Sequence, residues 1–76
     1  MVMYADIKSK SKELKTKLVD NLEIIGINEY VNLINELTIL TCSLEDVDLN
    51  EIFEELTQLE QEIDSTIIKY LDIKNI

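Results

Sequence analysis

Carboxylates dominate the chemistry of this chain. Thirteen Asp and Glu side chains fall between Leu18 and Ile68 with no Lys or Arg among them. Residues 1–17 run the other way, with five lysines (Lys8, Lys10, Lys12, Lys15, Lys17) against Asp6 and Glu13. The tail adds Lys69 and Lys74 against Asp72, so the three segments carry +3, −13 and +1 and the whole chain −9. Carboxylates at this density could hold a cation, move a proton or display charge, and each task needs different companions. Asp46-Val47-Asp48-Leu49-Asn50 opens like a calcium loop, but such a loop needs Gly at its sixth and Glu at its twelfth position. Glu51 and Thr57 stand there, and helix capping accounts for the same residues. Proton transfer near neutrality is usually the work of His, and the chain has none. It also lacks Arg for clamping phosphate, and its one glycine cannot build a phosphate-cradling loop. Cys42, among Ile39, Leu40 and Leu44 with no Lys close in sequence to activate a thiolate, reads as a small buried apolar residue. The expectation is a protein without catalytic residues, cofactor or metal.

Charge display remains. A segment of −13 repels nucleic acid and anionic lipid and attracts cationic surfaces over roughly 8 Å at physiological salt. The leading expectation is therefore an acidic helical interaction protein. It would be an inhibitor or decoy whose carboxylates imitate nucleic-acid phosphates and occupy the basic surface of a partner protein. Glu45, Asp46, Asp48, Glu51, Glu54, Glu55, Glu62 and Asp64 are the expected contacts. The alternative is a coiled-coil adaptor in which the charge only solubilises. Small size, one-sided charge and a composition that suggests AT-rich coding (no Arg, His, Pro or Trp; abundant Ile, Asn, Lys and Glu) suit a phage- or plasmid-borne gene.

The elements that must carry these acids are legible from punctuation. No proline interrupts the chain. A first helix is expected over about Tyr4–Ile25, with Tyr4, Ile7, Leu14, Leu18, Leu22 and Ile25 on one side and Ser11 and Asn21 interrupting the seam. Gly26 supplies a left-handed residue past its end, Ile27 folds back on the last turn, and Asn28 caps the next helix. The second helix, about Glu29–Cys42, is apolar nearly all round, so it should lie between the other two helices or between two subunits. Thr38–Cys42 has strand-like composition, which would end it early. Asp48 and Glu51 form an acidic capping box for the third helix, with Val47 and Ile52 as a hydrophobic staple. From there Leu49, Ile52, Leu56, Leu59, Ile63, Thr66, Tyr70 and Ile73 keep coiled-coil spacing, a seam for the core or for a dimer. Basic first helix and acidic third helix are suited to lie side by side. The reading is an all-α single domain over residues 1–76: a helical hairpin plus a further helix, packed as a bundle or coiled coil. At 76 residues such a core is small, and self-association as a homodimer is the remaining staple when neither disulfide nor metal is available.

Two further motifs bear on function. The glycine corner resembles a helix-turn-helix only superficially: Asn32 and Asn35 occupy positions that should be apolar, and Glu29 and Glu36 would repel phosphates. Direct nucleic-acid binding is not expected. Leu59-Glu60-Gln61-Glu62-Ile63-Asp64, followed by Ile67-Ile68-Lys69-Tyr70, resembles the second helix of the small sporulation-type aspartyl-phosphate phosphatases, whose signature reads Ser-Gln-Glu-Leu-Asp. That resemblance would make Gln61, Glu62 and Asp64 functional and the protein a regulator of phosphorylated aspartate. Glu60 and Ile63 replace the signature's serine and leucine. With no apolar run of roughly 20 residues and no signal-like start, the chain reads as cytoplasmic and without membrane contact.

Overall fold

The computed structural model describes residues 2–42 and 48–74. They form three helices, α1 (Tyr4–Asp20), α2 (Leu22–Thr41) and α3 (Leu49–Lys74). Each helix packs on both others, and no strand occurs among the described residues. This is the all-α three-helix bundle that periodicity implies. Each helix gives three residues to one core: Ile7, Leu14 and Leu18; Ile25, Leu33 and Leu37; Leu56, Leu59 and Ile63. Ser11, 8% exposed, fills the remaining step of the α1 stripe.

α1 starts at Met3, whose backbone N–H donates to Asp6 Oδ2 at 2.8 Å, and Val2 N–H donates to Asn50 Oδ1 at 3.2 Å. The second bond ties the chain start to the first turn of α3. α1 ends five residues before Ile25, the expected boundary. The amide Nδ2 of Asn21 donates to Lys17 O at 2.7 Å, and Asn21 sits at φ −110°, ψ 14°, in the bridge region. A short polar side chain that takes a backbone carbonyl competes with helix continuation, and here it wins. Ile24 and Ile25 then bond back to Asn21 O to form one turn, which Gly26 breaks at φ 83°, ψ 162°. The corner is therefore built in two steps, Asn21 and Gly26. Ile27 does not fold back onto it, being 62% exposed.

α2 persists through its strand-like end to Thr41, with the hydroxyls of Thr38 and Thr41 turned back to donate to Ile34 O and Leu37 O at 2.8 and 2.9 Å. Only one side of it is buried within the chain. Val31 and Ile39 are 44% and 76% exposed, and Cys42 is exposed rather than buried. Exposed Cys42 corrects the expectation of a buried thiol. Of the two placements expected for α2, enclosure between the other two helices is not seen, because two neighbours cover only one side of it. At α3, Asp48 Oδ1 accepts the Asn50 N–H at 2.9 Å, so Asp48 caps the helix as expected, but among the described residues no return bond from Glu51 closes the expected box, and Val47 and its staple lie outside the described residues. Leu56, Leu59 and Ile63 are core, and Leu49, Ile52 and Tyr70 pack partly buried against it. The α3 seam from Leu49 to Tyr70 is thus largely consumed inside the bundle. Its 26 residues span roughly 39 Å, and Ile68 and Ile73 stand 60% and 57% exposed near its far end.

Candidate functional site

α3 carries acid on two flanks, and the bundle treats them differently. At about 100° per residue, Glu60 and Asp64 fall on the side turned to α1, while Glu51, Glu55 and Glu62 turn toward α2. On the α1 side the acids are neutralised. Lys10 Nζ lies 2.9 Å from Glu60 Oε2, with only 16% and 23% of the two side chains exposed. Lys17 pairs with Asp64 Oδ1. The hydrogen bond with Asp64 is the main reason the Lys17 ammonium titrates above the ordinary lysine value. Burial opposes it, and the charges of Asp64, Glu60 and Glu13 reinforce it. The basic first helix does lie along the acidic third.

On the α2 side nothing neutralises the acids. A groove of about 310 Å³ runs between the two helices, floored by Leu40 and Leu59 and edged by Glu36, Ile39, Glu55, Gln58 and Glu62. No lysine lines it. Glu62 is accordingly held above the usual carboxylate value. Partial desolvation is the largest cause, followed by the charges of Glu36 and Glu29 and a hydrogen bond shared with Glu36. The carboxylates of two helices thus crowd one another along this groove. No three of the described acid and thiol side chains converge closely enough to hold a metal ion.

A third groove, between α1 and the end of α2, is basic. Lys8, Lys12 and Lys15 surround a cavity of about 390 Å³ with Tyr4, Ile7, Ser11 and Thr41, and Lys8 Nζ stands 5.2 Å from the centre of the Tyr4 ring. Going round the bundle, the grooves are therefore paired, basic and acidic.

Of the expected contacts, Asp48, Glu51, Glu54, Glu55 and Glu62 are exposed on α3 or its cap. Glu45 and Asp46 lie outside the described residues. Asp64 is engaged by Lys17. Sequence reasoning passed over Glu29 and Glu36 as contacts. Their spacing of seven residues in a helix without a base was the available signal, since it puts both on one side of α2. The positions matched to the phosphatase signature do not gather in one place. Gln61 and Glu62 are exposed about 100° apart on the helix, Ile63 is core and Asp64 faces Lys17.

Fold and site define a class, a small three-helix bundle with an unneutralised acidic groove. Comparison with known proteins takes it no further: no family model, no curated protein and no solved structure matches the chain. No described helix is long and apolar enough to cross a membrane.

Proposed function

We propose that this protein acts by binding, as an acidic inhibitor or decoy that lays the α2–α3 face against the basic surface of a partner protein. The observation that carries this reading is the contrast between flanks. Acids facing α1 have lysine partners, whereas Glu36, Glu55 and Glu62 are set side by side on two helices with none. Mutual repulsion costs stability, and a cationic partner would turn that cost into affinity. Carboxylates held on packed helices are also pre-organised, so little ordering entropy opposes binding. A surface evolved to hold phosphates offers the complementary charge, which favours a nucleic-acid-binding protein as the target. An adaptor role through the α3 seam has less support, because Leu56, Leu59 and Ile63 already form the core.

The test is retention of lysate proteins on the immobilised chain across a salt series, with and without Glu36→Gln, Glu55→Gln and Glu62→Gln together. Partners identified as nucleic-acid-binding proteins should be retained at low salt, released as salt rises, and lost on the triple variant. Retention equal for both chains, or insensitive to salt, would reject the proposal.

A further inference from the structure

Three of the chain's seven lysines converge on one cavity. Lys8, Lys12 and Lys15 fall within about 60° of one another around α1, on the flank turned to the end of α2, where Thr41 completes the wall. Long helical side chains lean toward the helix start, which brings Lys12 and Lys15 back over Ser11 and toward Lys8. No carboxylate among the described residues lies within ion-pair distance of these three lysines. The end of α2 carries roughly half a negative charge, far short of three ammonium groups. Ser11 is 8% exposed yet lines the same cavity, and none of the side-chain hydrogen bonds among the described residues uses its hydroxyl. A hydroxyl placed so deeply takes its partner from the cavity. Tyr4 and Ile7 supply the apolar part of the wall, and the Tyr4 ring lies under the Lys8 ammonium at 5.2 Å.

We propose that this cavity binds a small phosphate ester with a flat aromatic body, of about the size of a mononucleotide. Its volume of about 390 Å³ falls within the roughly 300–1,000 Å³ usual for small-molecule sites. The walls set the class. Three ammonium groups around one space call for a compact anion with several oxygens. A phosphomonoester carries roughly 1.5–2 negative charges at pH 7 and three acceptor oxygens, whereas a carboxylate offers one charge and two oxygens. Lysine binds phosphate as a point charge, so no guanidinium fork is needed, and the Ser11 hydroxyl donates to a further oxygen. Tyr4 stands at one end of the cavity, roughly 16 Å along the helix axis from Lys15. The phosphate therefore sits among the lysines and Ser11, and the aromatic body lies against Tyr4 and Ile7.

Charge sets the expected strength. The chain is −9 overall, but salt screens charges more than about 8 Å away, so the ligand meets chiefly the three near lysines. All three are exposed, and exposed charges each contribute little. The dissociation constant should be submillimolar and should rise with salt. The cavity lies on the α1 side of α2, away from the acidic groove. Failure of the site does not imply failure of the acidic face, or the reverse.

The test is titration of the isotope-labelled full chain at low salt with adenosine monophosphate and with phenyl phosphate, read by amide chemical shifts. Both probes should move the amides of Lys8, Ser11, Lys12 and Thr41 saturably while those of Glu55 and Glu62 stay in place. Adenosine and inorganic phosphate, each lacking one half of the ligand, should bind at least about tenfold more weakly. Lys12→Gln with Lys15→Gln, both at exposed positions, should weaken both probes about tenfold and leave the helical circular dichroism unchanged. Ser11→Ala should weaken them about threefold. Any of four outcomes would overturn the proposal: no saturable shift with either probe, adenosine binding as tightly as its monophosphate, inorganic phosphate doing the same, or affinities indifferent to the lysine substitutions.

Discussion

Replacing Glu62 by Gln should make this protein more stable and a poorer binder at once. Glu62 is largely exposed, so solvent screens its interactions and their magnitude belongs to the surface scale. A like-charge pair at helical-neighbour distance costs about 0.2–0.5 kcal/mol. Glu62 has two such neighbours, Glu36 and Glu29, together with a desolvation penalty that ranks first among the causes of its raised proton affinity. The amide keeps the shape and the hydrogen-bonding capacity and removes the charge, so Glu62→Gln should gain about 0.5–1 kcal/mol. For a domain of this length that is about 3–6 °C in Tm. The proton linkage must agree in sign. A carboxyl whose folded-state pKa lies above its unfolded value favours the fold most when protonated. Its contribution is therefore complete below the unfolded value and is lost as pH rises through the folded one. The advantage of Glu62→Gln should accordingly be largest at pH 7 and shrink toward pH 4.5, as the native carboxyl takes up its proton. Thermal denaturation of both chains at pH 7 and pH 4.5, followed by circular dichroism at 222 nm, measures this directly. A destabilised variant at pH 7, or a difference independent of pH, would refute the account of the acidic groove.

Three further outcomes follow from the same structure. Ile63→Ala removes a side chain with no exposure and should cost about 2–5 kcal/mol, a large share of the stability of a chain this short; denaturant unfolding reads it, and a cost below about 1 kcal/mol would mean the seam is not the core. Gly26→Ala meets no atom within 4 Å of the new Cβ, yet φ 83° with ψ 162° is a conformation only glycine adopts readily, so the loss should be about 1–3 kcal/mol from backbone strain alone. Lys17 is about one-third exposed and Asp64 nearly half, so their pair should contribute no more than about 1 kcal/mol. That contribution is complete below the ordinary lysine value and is lost as pH rises through the raised value of Lys17; Asp64→Asn should remove most of this alkaline dependence in a pH series of melting temperatures, Glu60 and Glu13 supplying the rest.

How much of this was legible in the chain depends on the kind of signal. Three helices, their order and the α3 cap follow from local rules, because Asp48 and the three- and four-residue steps from Leu49 to Tyr70 act within a turn or two. The corner was half legible. Gly26 announced a break, but Asn21 is an ordinary helix-surface residue until its amide takes the Lys17 carbonyl, and composition does not separate the two outcomes. α2 misled for a different reason. Its apolar residues spread around the cylinder, which implies burial, but a single chain provides only two neighbours and can cover only the side bearing Leu33 and Leu37. The exposure of Val31, Ile39 and Cys42 was thus invisible until the bundle was counted helix by helix.

The site was harder still, because charge counted along a sequence is not charge counted around a fold. A run of thirteen acids looks uniform, and eight of them were chosen as contacts by position alone. The bundle sorts α3 acids by helical phase. Glu60 and Asp64 meet α1 lysines on one side, while Glu55 and Glu62 meet Glu36 on the other. Two residues apart in sequence, Glu62 and Asp64 thereby acquire opposite roles, one strained by its neighbours and the other satisfied. The same sorting applies to the bases, since Lys10 and Lys17 are held by α3 while Lys8, Lys12 and Lys15 open beside α2. A net charge of −9 therefore hides a directional surface. Adding salt should weaken capture of a basic partner, whereas Val31→Glu, about 140° around α2 from Glu36, should leave that capture intact.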